Sequence, residues 1–359
     1  MTRPDRPSPV ERAQLLADEL VRPQAEQVDR TVVPRTTLNA WAAAGLLGLA
    51  GPRSAGGGGA SARVEREVQE VLAGACGATW FVATQHATPL ATLAASGNSG
   101  LRERLLAPMC SGQVLAGVAF THLRRPGPPR VTAVRRPGGW RFDGEVDWLT
   151  GWGLCDVVLL AGESPDGEAV FVLVPARDAA GLTASPPLAL AAMQATRTVG
   201  VRLEGLVVPD ADVVRVVDLA TWREDDAVRA ADARPHVFGL QRECVRRLRE
   251  TAAARGDGAA AALAQQLSAE GERVRRVAYA LADELPRGEA LEDRMAVRAA
   301  SLELAVRSAT ALVAASGGSA MLLDAAPQRL AREAVFYLVQ AQTPAVREAT
   351  LQLLRDSGA

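Results

Sequence analysis

The sequence predicts an α+β multi-domain chain: an N-terminal α-helical domain over 1–112, a central antiparallel β-barrel or sandwich over 113–215, and a C-terminal helical bundle over 216–359. Apolar residues recur at helical spacing in the first part. They then form short alternating runs between Pro- and Gly-rich turns, and finally return to long Ala/Leu/Arg/Glu segments. At 359 residues, 48% hydrophobic and 23% charged, the chain is long enough for several substantial cores.

In the first part, ERAQLLADELVRPQAEQVDR puts Leu15, Leu16, Leu20 and Val21 on a helical stripe with charge between them. Pro34 stops that segment, and TTLNAWAAAGLLGL starts a second helix behind a Thr cap and ends it near Gly48. GPRSAGGGG reads as a flexible loop. Further helices are predicted over 62–75, 78–95 and 101–109.

In the middle part VLAGVAFT, VTAVRR, GWRFDGEV, DVVLLAG, EAVFVLVP and TVGVRLEGLVVP read as strands. Trp140, Phe142 and Val146 share one face of the third, opposite Arg141, Asp143 and Glu145. In the last part helices are predicted over 237–254, 258–285, 290–315, 327–340 and 344–355, with a Gly317-Gly318 break after the third. The preceding WREDDAVRAADARPHVFGL reads as a charged, solvated loop.

Composition narrows the function. With 40 basic and 41 acidic side chains the net charge is −1, which points to neither a nucleic acid nor an acidic membrane as partner. Apolar runs fall far short of the ~20 residues of a membrane span, and the N-terminus carries no apolar secretion segment, so a cytoplasmic location is expected. Cys76, Cys110, Cys155 and Cys244 form no C-x-x-C pair and read as reduced, buried thiols. With only His86, His122 and His236, no metal centre is expected. Gly151-x-Gly153 lacks the third glycine and the βαβ surroundings of a dinucleotide fingerprint.

Several passages together carry a resemblance to one family. AAAGLLGLAGPRSAGGGG, ASGNSGLRERLLAPMCSGQVLAGVAFT, LEGLVVPDADVV and ASGGSAMLLDAAPQRLAREA follow in the order and spacing of the acyl-CoA dehydrogenase superfamily, over roughly Leu15 to Thr350. The resemblance implies a helical domain, a β-domain and a C-terminal four-helix domain, with FAD between the last two; FMN, or no flavin, is the alternative. It implies a homodimer or homotetramer with shared flavin sites, and a small-molecule substrate such as an acyl-CoA or a carrier-bound acyl group.

VAFT resembles the strand that meets the pyrimidine edge of the flavin, which assigns Phe120 and Thr121 to the cofactor. DWLT resembles the family's W-I-T, whose Trp packs on the ring and whose Thr reaches the N5 side, here Trp148 and Thr150. An indole suits the task because it is flat, apolar and has little conformational entropy to lose. Gly317 and Gly318 match a pair that lets backbone approach a partner's diphosphate, Arg255 stands for the arginine of the "R-x-x-F-G…Q" hairpin, and Gln265 or Gln266 for its glutamine. Thr343 keeps the last position of the family's Y-E-G-T run.

The departures concern the chemistry. The Glu of that run falls on Ala341, which cannot remove a proton. Glu224, Asp225, Asp226 and Asp232 lie where some relatives carry an alternative base, and Asp324 is a further carboxylate. The family's "T-E-P-x-x-G-S-D" reads THLRRPG, whose Arg124 and Arg125 are candidates for phosphate contact. Candidate catalytic residues are therefore His86, His122 and Asp226. Three readings stand side by side: an acyl thioester dehydrogenase passing hydride to flavin N5, a two-component reduced-flavin monooxygenase in which a histidine manages protons, and a redox-inactive binding or non-redox protein.

Overall fold

The protein, seen as a computed structural model, is described over residues 7–356. Helix α1 (Pro9–Leu16) opens with a capping box between Ser8 and Glu11, and runs through a π-helical turn (Ala17–Val21) into α2 (Arg22–Asp29). Helix α3 (Arg35–Ala43) starts directly after Pro34 without a side-chain cap and stops well before Gly48. Helix α4 (Ala62–Ala75) has the expected bounds. The expected 78–95 helix is broken at Gln85-His86 into α5 (Gly77–Thr84) and α6 (Ala87–Ala94), and α7 (Ser99–Ser111) follows behind an Asn98 cap.

The glycine run is not a loose loop. Backbone N–H groups of Gly57, Gly58 and Gly59 donate to the carbonyls of Pro52, Gly48 and Gly51. A Cβ on Gly57 would stand 2.2 Å from the Gly51 oxygen, so glycine is required there for two backbone segments to touch.

Eight strands form one sheet: β1 (Ala116–Ala119), β2 (Val131–Arg136), β3 (Gly139–Leu149), β4 (Val157–Glu163), β5 (Glu168–Pro175), β6 (Leu182–Ala184), β7 (Val199–Pro209) and β8 (Val213–Asp218). The order is β6-β7-β3-β2-β4-β5-β8, with β1 also on β4. The expected central β-domain is present and most of its pairings are antiparallel, with one departure in topology: β1 runs parallel to β4, and β2 meets β4 parallel at Thr132 and Glu163. Since β5 fills one edge of β4, β1 and β2 share the other end to end, joined by the segment that carries His122 and Arg124. Strands β4 and β5 are buried on both faces, Val158 and Leu160 in one core and Leu159 and Ala161 in another. Their unbroken apolar runs follow from that double burial.

The loop reading of WREDDAVRAADARPHVFGL is corrected, because most of it is helical. Helix α8 (Leu219–Ala231) is capped by Asp218 and buries Leu219, Trp222, Asp226 and Ala230 along one stripe. Helices α9 (Pro235–Arg255), α10 (Gly258–Glu284) and α11 (Leu291–Ser316) pack on one another, and α12 (Ala326–Val339) and α13 (Pro344–Asp356) pack on α11. One core runs from Val28, Trp41 and Leu72 to Leu240, Leu304 and Leu330, so the first and last parts of the chain close on each other. All four thiols are buried and unpaired. Among the described residues no helix is long and apolar enough to cross a membrane.

Candidate functional site

The end of β1 is anchored by Phe120, whose ring meets Phe171 at 5.6 Å and Trp222 at 6.0 Å edge-on. This places Thr121, half-buried, at the head of a 3-10 turn (Thr121–Arg124). In that turn His122 is buried and its Nε2–H donates to the Ala161 carbonyl at 3.0 Å. Nδ1 is then the unprotonated nitrogen, and it is buried without a partner among the described residues. Burial outweighs the carbonyl bond and pulls the His122 pKa down to about 4, so the ring is neutral at pH 7.

The end of β3 lies against β1: a Cβ on Gly117 would be 3.3 Å from the Thr150 carbonyl oxygen. Here the Trp148 indole is 48% exposed while Leu149 and Thr150 beside it are buried. Asp147 is held by Arg130 at 2.6 Å and by Arg125, so this stretch of strand does not depend on Trp148 for its position.

Three threonine hydroxyls form a chain with one direction. Thr196 donates to the Met193 carbonyl at 2.8 Å, because a carbonyl only accepts. The 2.8 Å bond between Thr196 and Thr198 must then be donated by Thr198, and the 3.0 Å bond between Thr198 and Thr150 by Thr150. All three residues are buried. Thr150 has thus spent its only proton, and its oxygen is left as an acceptor. Nothing in the W-x-T pattern signals this, because Thr196 and Thr198 come from the loop leading into β7.

Ala341, in the base position implied by the resemblance, sits between α12 and α13 at φ +50. Arg298 ties this turn down, its Nη2 donating to the Gln340 and Ala341 carbonyls at 3.3 and 3.2 Å. Thr343 accepts from the Val346 N–H at 3.3 Å and so caps α13. At the other end of the bundle Arg255 reaches Gly317. Its guanidinium donates to the Ala315 and Ser316 carbonyls at 2.6 and 2.7 Å, closing the last turn of α11. Gly317 has φ +68, and nothing stands within 4 Å of where a Cβ on Gly318 would be. Gln265 and Gln266 are exposed on α10.

Other candidates are committed elsewhere. His86 donates from Nε2 to the Met109 carbonyl at 2.9 Å and accepts at Nδ1 from the Ala116 N–H at 3.1 Å, so neither ring nitrogen is left for a proton. Burial pushes its pKa down. Asp226 is clamped by Arg124 at 2.6 and 3.0 Å, which makes it an ion-pair partner and not a free base. The same bond takes up Arg124, and Asp147 takes up Arg125, so neither arginine is a loose phosphate ligand. Asp232 pairs with Arg294, and Glu224 and Asp225 are exposed. Trp152 packs against the sheet core that holds Trp140 and Phe142.

Comparison with known proteins agrees with this architecture. Residues 9–113 match the family of acyl-CoA dehydrogenase N-terminal domains. Benzylmalonyl-CoA dehydrogenase of Aromatoleum aromaticum is 26% identical over 199 residues, 54% of this chain and 53% of that protein, so the match spans about half the relative's length. Among solved structures, a Mycobacterium smegmatis glutaryl-CoA dehydrogenase in complex with FADH2 superposes at TM-score 0.82 and 16% identity, covering 98% of this chain and 94% of that one. Dibenzothiophene monooxygenase of Paenibacillus superposes at TM-score 0.80 and 18% identity, covering 97% of each chain. These two likenesses establish the fold.

Proposed function

We propose that the chain is a divergent member of the acyl-CoA dehydrogenase superfamily, as its N-terminal match and its fold support, and that it is a flavin-dependent oxidoreductase acting on an acyl thioester. The observation that carries this reading is the half-exposed Trp148 indole beside the acceptor-only oxygen of Thr150. A planar apolar ring would cover the indole, and a ring N–H would find its acceptor in Thr150. The residues present therefore fit an isoalloxazine, which when bound supplies a two-electron acceptor.

On this reading the chain's own contributions are these. Trp148 covers one ring face, and Thr150 holds the N–H edge. The Phe120–Thr121 backbone offers donors and acceptors to the pyrimidine side. By the resemblance Gly317 and Gly318 would let backbone approach a phosphate, beside Arg255, which here closes the last turn of α11. The resemblance makes that phosphate a partner subunit's, which implies a homo-oligomer. FAD is favoured over FMN because this glycine pair would be idle without a diphosphate. His122 Nδ1 is unpartnered among the described residues, but the burial that holds its pKa near 4 makes it a poor substitute for the carboxylate missing at Ala341.

That missing carboxylate favours a second reading, a reduced-flavin monooxygenase on the same scaffold, where no proton need be drawn from carbon beside a thioester. One set of measurements separates them. Yellow protein carrying about one flavin per chain, reduced anaerobically by acyl-CoA thioesters, supports the first reading. Substrate oxygenation only with an added reductase and NADH supports the second. Protein that takes up neither FAD nor FMN overturns both.

A further inference from the structure

The turn that carries Ala341 is bordered by arginines whose charges do not balance. Arg124 is neutralised by Asp226, and Arg294 by Asp232. Arg234 and Arg298 stand in the same cluster, and among the described residues neither has a carboxylate at ion-pairing distance. Arg298 is 2% exposed, and the Nε–H groups of both arginines are buried without an acceptor. The acceptors these two do have are backbone oxygens. Arg298 meets Ala230, Gln340 and Ala341, and Arg234 meets Arg229 at 3.1 Å.

Those carbonyls lie at the ends of α8 and α12, where the helix dipole gives them only partial negative charge. Two full positive charges are thus set against partial ones in a low-dielectric place, an arrangement that stays costly until an anion arrives. The neighbouring His236 does not relieve it. Burial and then Arg234 and Arg298 hold that ring neutral. Burial, followed by repulsion from Arg234 and Arg124, also pulls the Arg298 pKa down to about 9.

We propose that Arg234 and Arg298 form a carboxylate-binding subsite beside the Gln340–Ala341 turn, so that the acyl group handled here carries an anionic end. Both Nη groups of Arg298 are given to backbone carbonyls, so what the protein leaves unused is one Nε–H on each arginine, a charge-assisted donor for a carboxylate oxygen. The turn that in the resembling family holds an acid would here face one supplied by the substrate. This inference rests on the acyl-thioester reading above. The competing explanation, that both arginines only cap helix ends, gives no preference for a charged ligand over a neutral one of the same shape.

The test is calorimetric titration of the purified full chain with malonate, succinate and glutarate, with glutaramide as the uncharged control. At least one dicarboxylate should bind saturably, glutaramide at least about tenfold more weakly, and Arg234→Gln should weaken the dicarboxylate by at least about tenfold. Arg298→Lys keeps the charge and loses the free Nε–H, and it should also weaken binding. If Arg298→Lys does not fold, Arg234→Gln decides, because Arg234 is only partly buried and donates to a single carbonyl. The proposal is overturned if the wild type binds no dicarboxylate, if glutaramide binds as well, or if folded Arg234→Gln binds undiminished. Flavin absorbance of the same samples tells the two readings apart. Yellow protein blind to dicarboxylates defeats the subsite alone, and colourless protein that binds them through Arg234 defeats the flavin reading alone.

Discussion

Replacing Trp148 by Ala tests the cofactor assignment most directly, and the structure sets the size of the effect. A Trp side chain presents roughly 200 Å², and 48% of Trp148 is exposed. About 100 Å² is therefore open to be covered by a ring, worth about 2.5 kcal/mol at the usual coefficient. That corresponds to roughly 60-fold in flavin affinity. The strand itself should survive, because Leu149 is buried and Asp147 is clamped by Arg125 and Arg130. Titration of apoprotein with FAD, followed by flavin fluorescence, should show the weaker binding while thermal denaturation shows a nearly unchanged fold. Trp140 is the control. It is buried under the Arg135 guanidinium at 5.3 Å, and Trp140→Ala should cost about 3–5 kcal/mol of stability. If Trp148→Ala leaves flavin affinity within about twofold of wild type, the indole does not cover the ring.

Three other outcomes are expected. Thr198→Val removes the acceptor for the Thr150 proton, so Thr150 is free to donate to the oxidised ring; spectroelectrochemistry should show the flavin midpoint potential falling by about 30 mV, one neutral hydrogen bond for a two-electron couple, and no change would break the hydroxyl chain argued above. Ala341→Glu restores a carboxylate in the base position and should raise anaerobic reduction by acyl-CoA about 10²–10⁴-fold; an unchanged rate would mean that this turn does not face the acyl α-carbon. Glu243 is the acid-stability test: burial pushes its carboxyl up, but hydrogen bonds from Arg246 and Arg247 outweigh it and hold the pKa at about 2, below the ordinary 4.5. A carboxylate depressed in the folded state contributes stability that is present above about pH 4.5 and is lost as pH falls towards 2, on the order of 3 kcal/mol here. Urea melts at pH 7 and pH 3 should therefore show a smaller acid loss in Glu243→Gln than in wild type, and equal losses would exclude the ion pair as its source.

The site was only partly legible before folding. Trp148 and Thr150 stand out as a local pattern, since a W-x-T at a strand end is written in consecutive residues. The partners that give Thr150 its acceptor character, Thr196 and Thr198, lie on a different segment and have no signature of their own. His86 and His122 look alike in the sequence. The structure separates them by their neighbours, with both nitrogens of His86 consumed by backbone and one nitrogen of His122 left open. Asp226, a base candidate by position, becomes an ion-pair partner once Arg124 is brought to it from about a hundred residues away.

Local periodicity was enough for α4, β2 and β5, because a helix or strand with one sustained pattern needs no partner to be recognised. It also sufficed for the helix–sheet–helix order of the whole chain. What only the tertiary structure decided were features made by distant segments meeting. These are the parallel placement of β1 and β2 on β4, the locking of the glycine loop by backbone bonds, and the helix hidden in WREDDAVRAADARPH. The same holds for the unbalanced arginines beside Ala341, whose charge excess exists only after folding has given Asp226 and Asp232 to other partners. Pairing, burial and charge balance are sums over the neighbours a residue acquires in space, and spacing along the chain does not contain them.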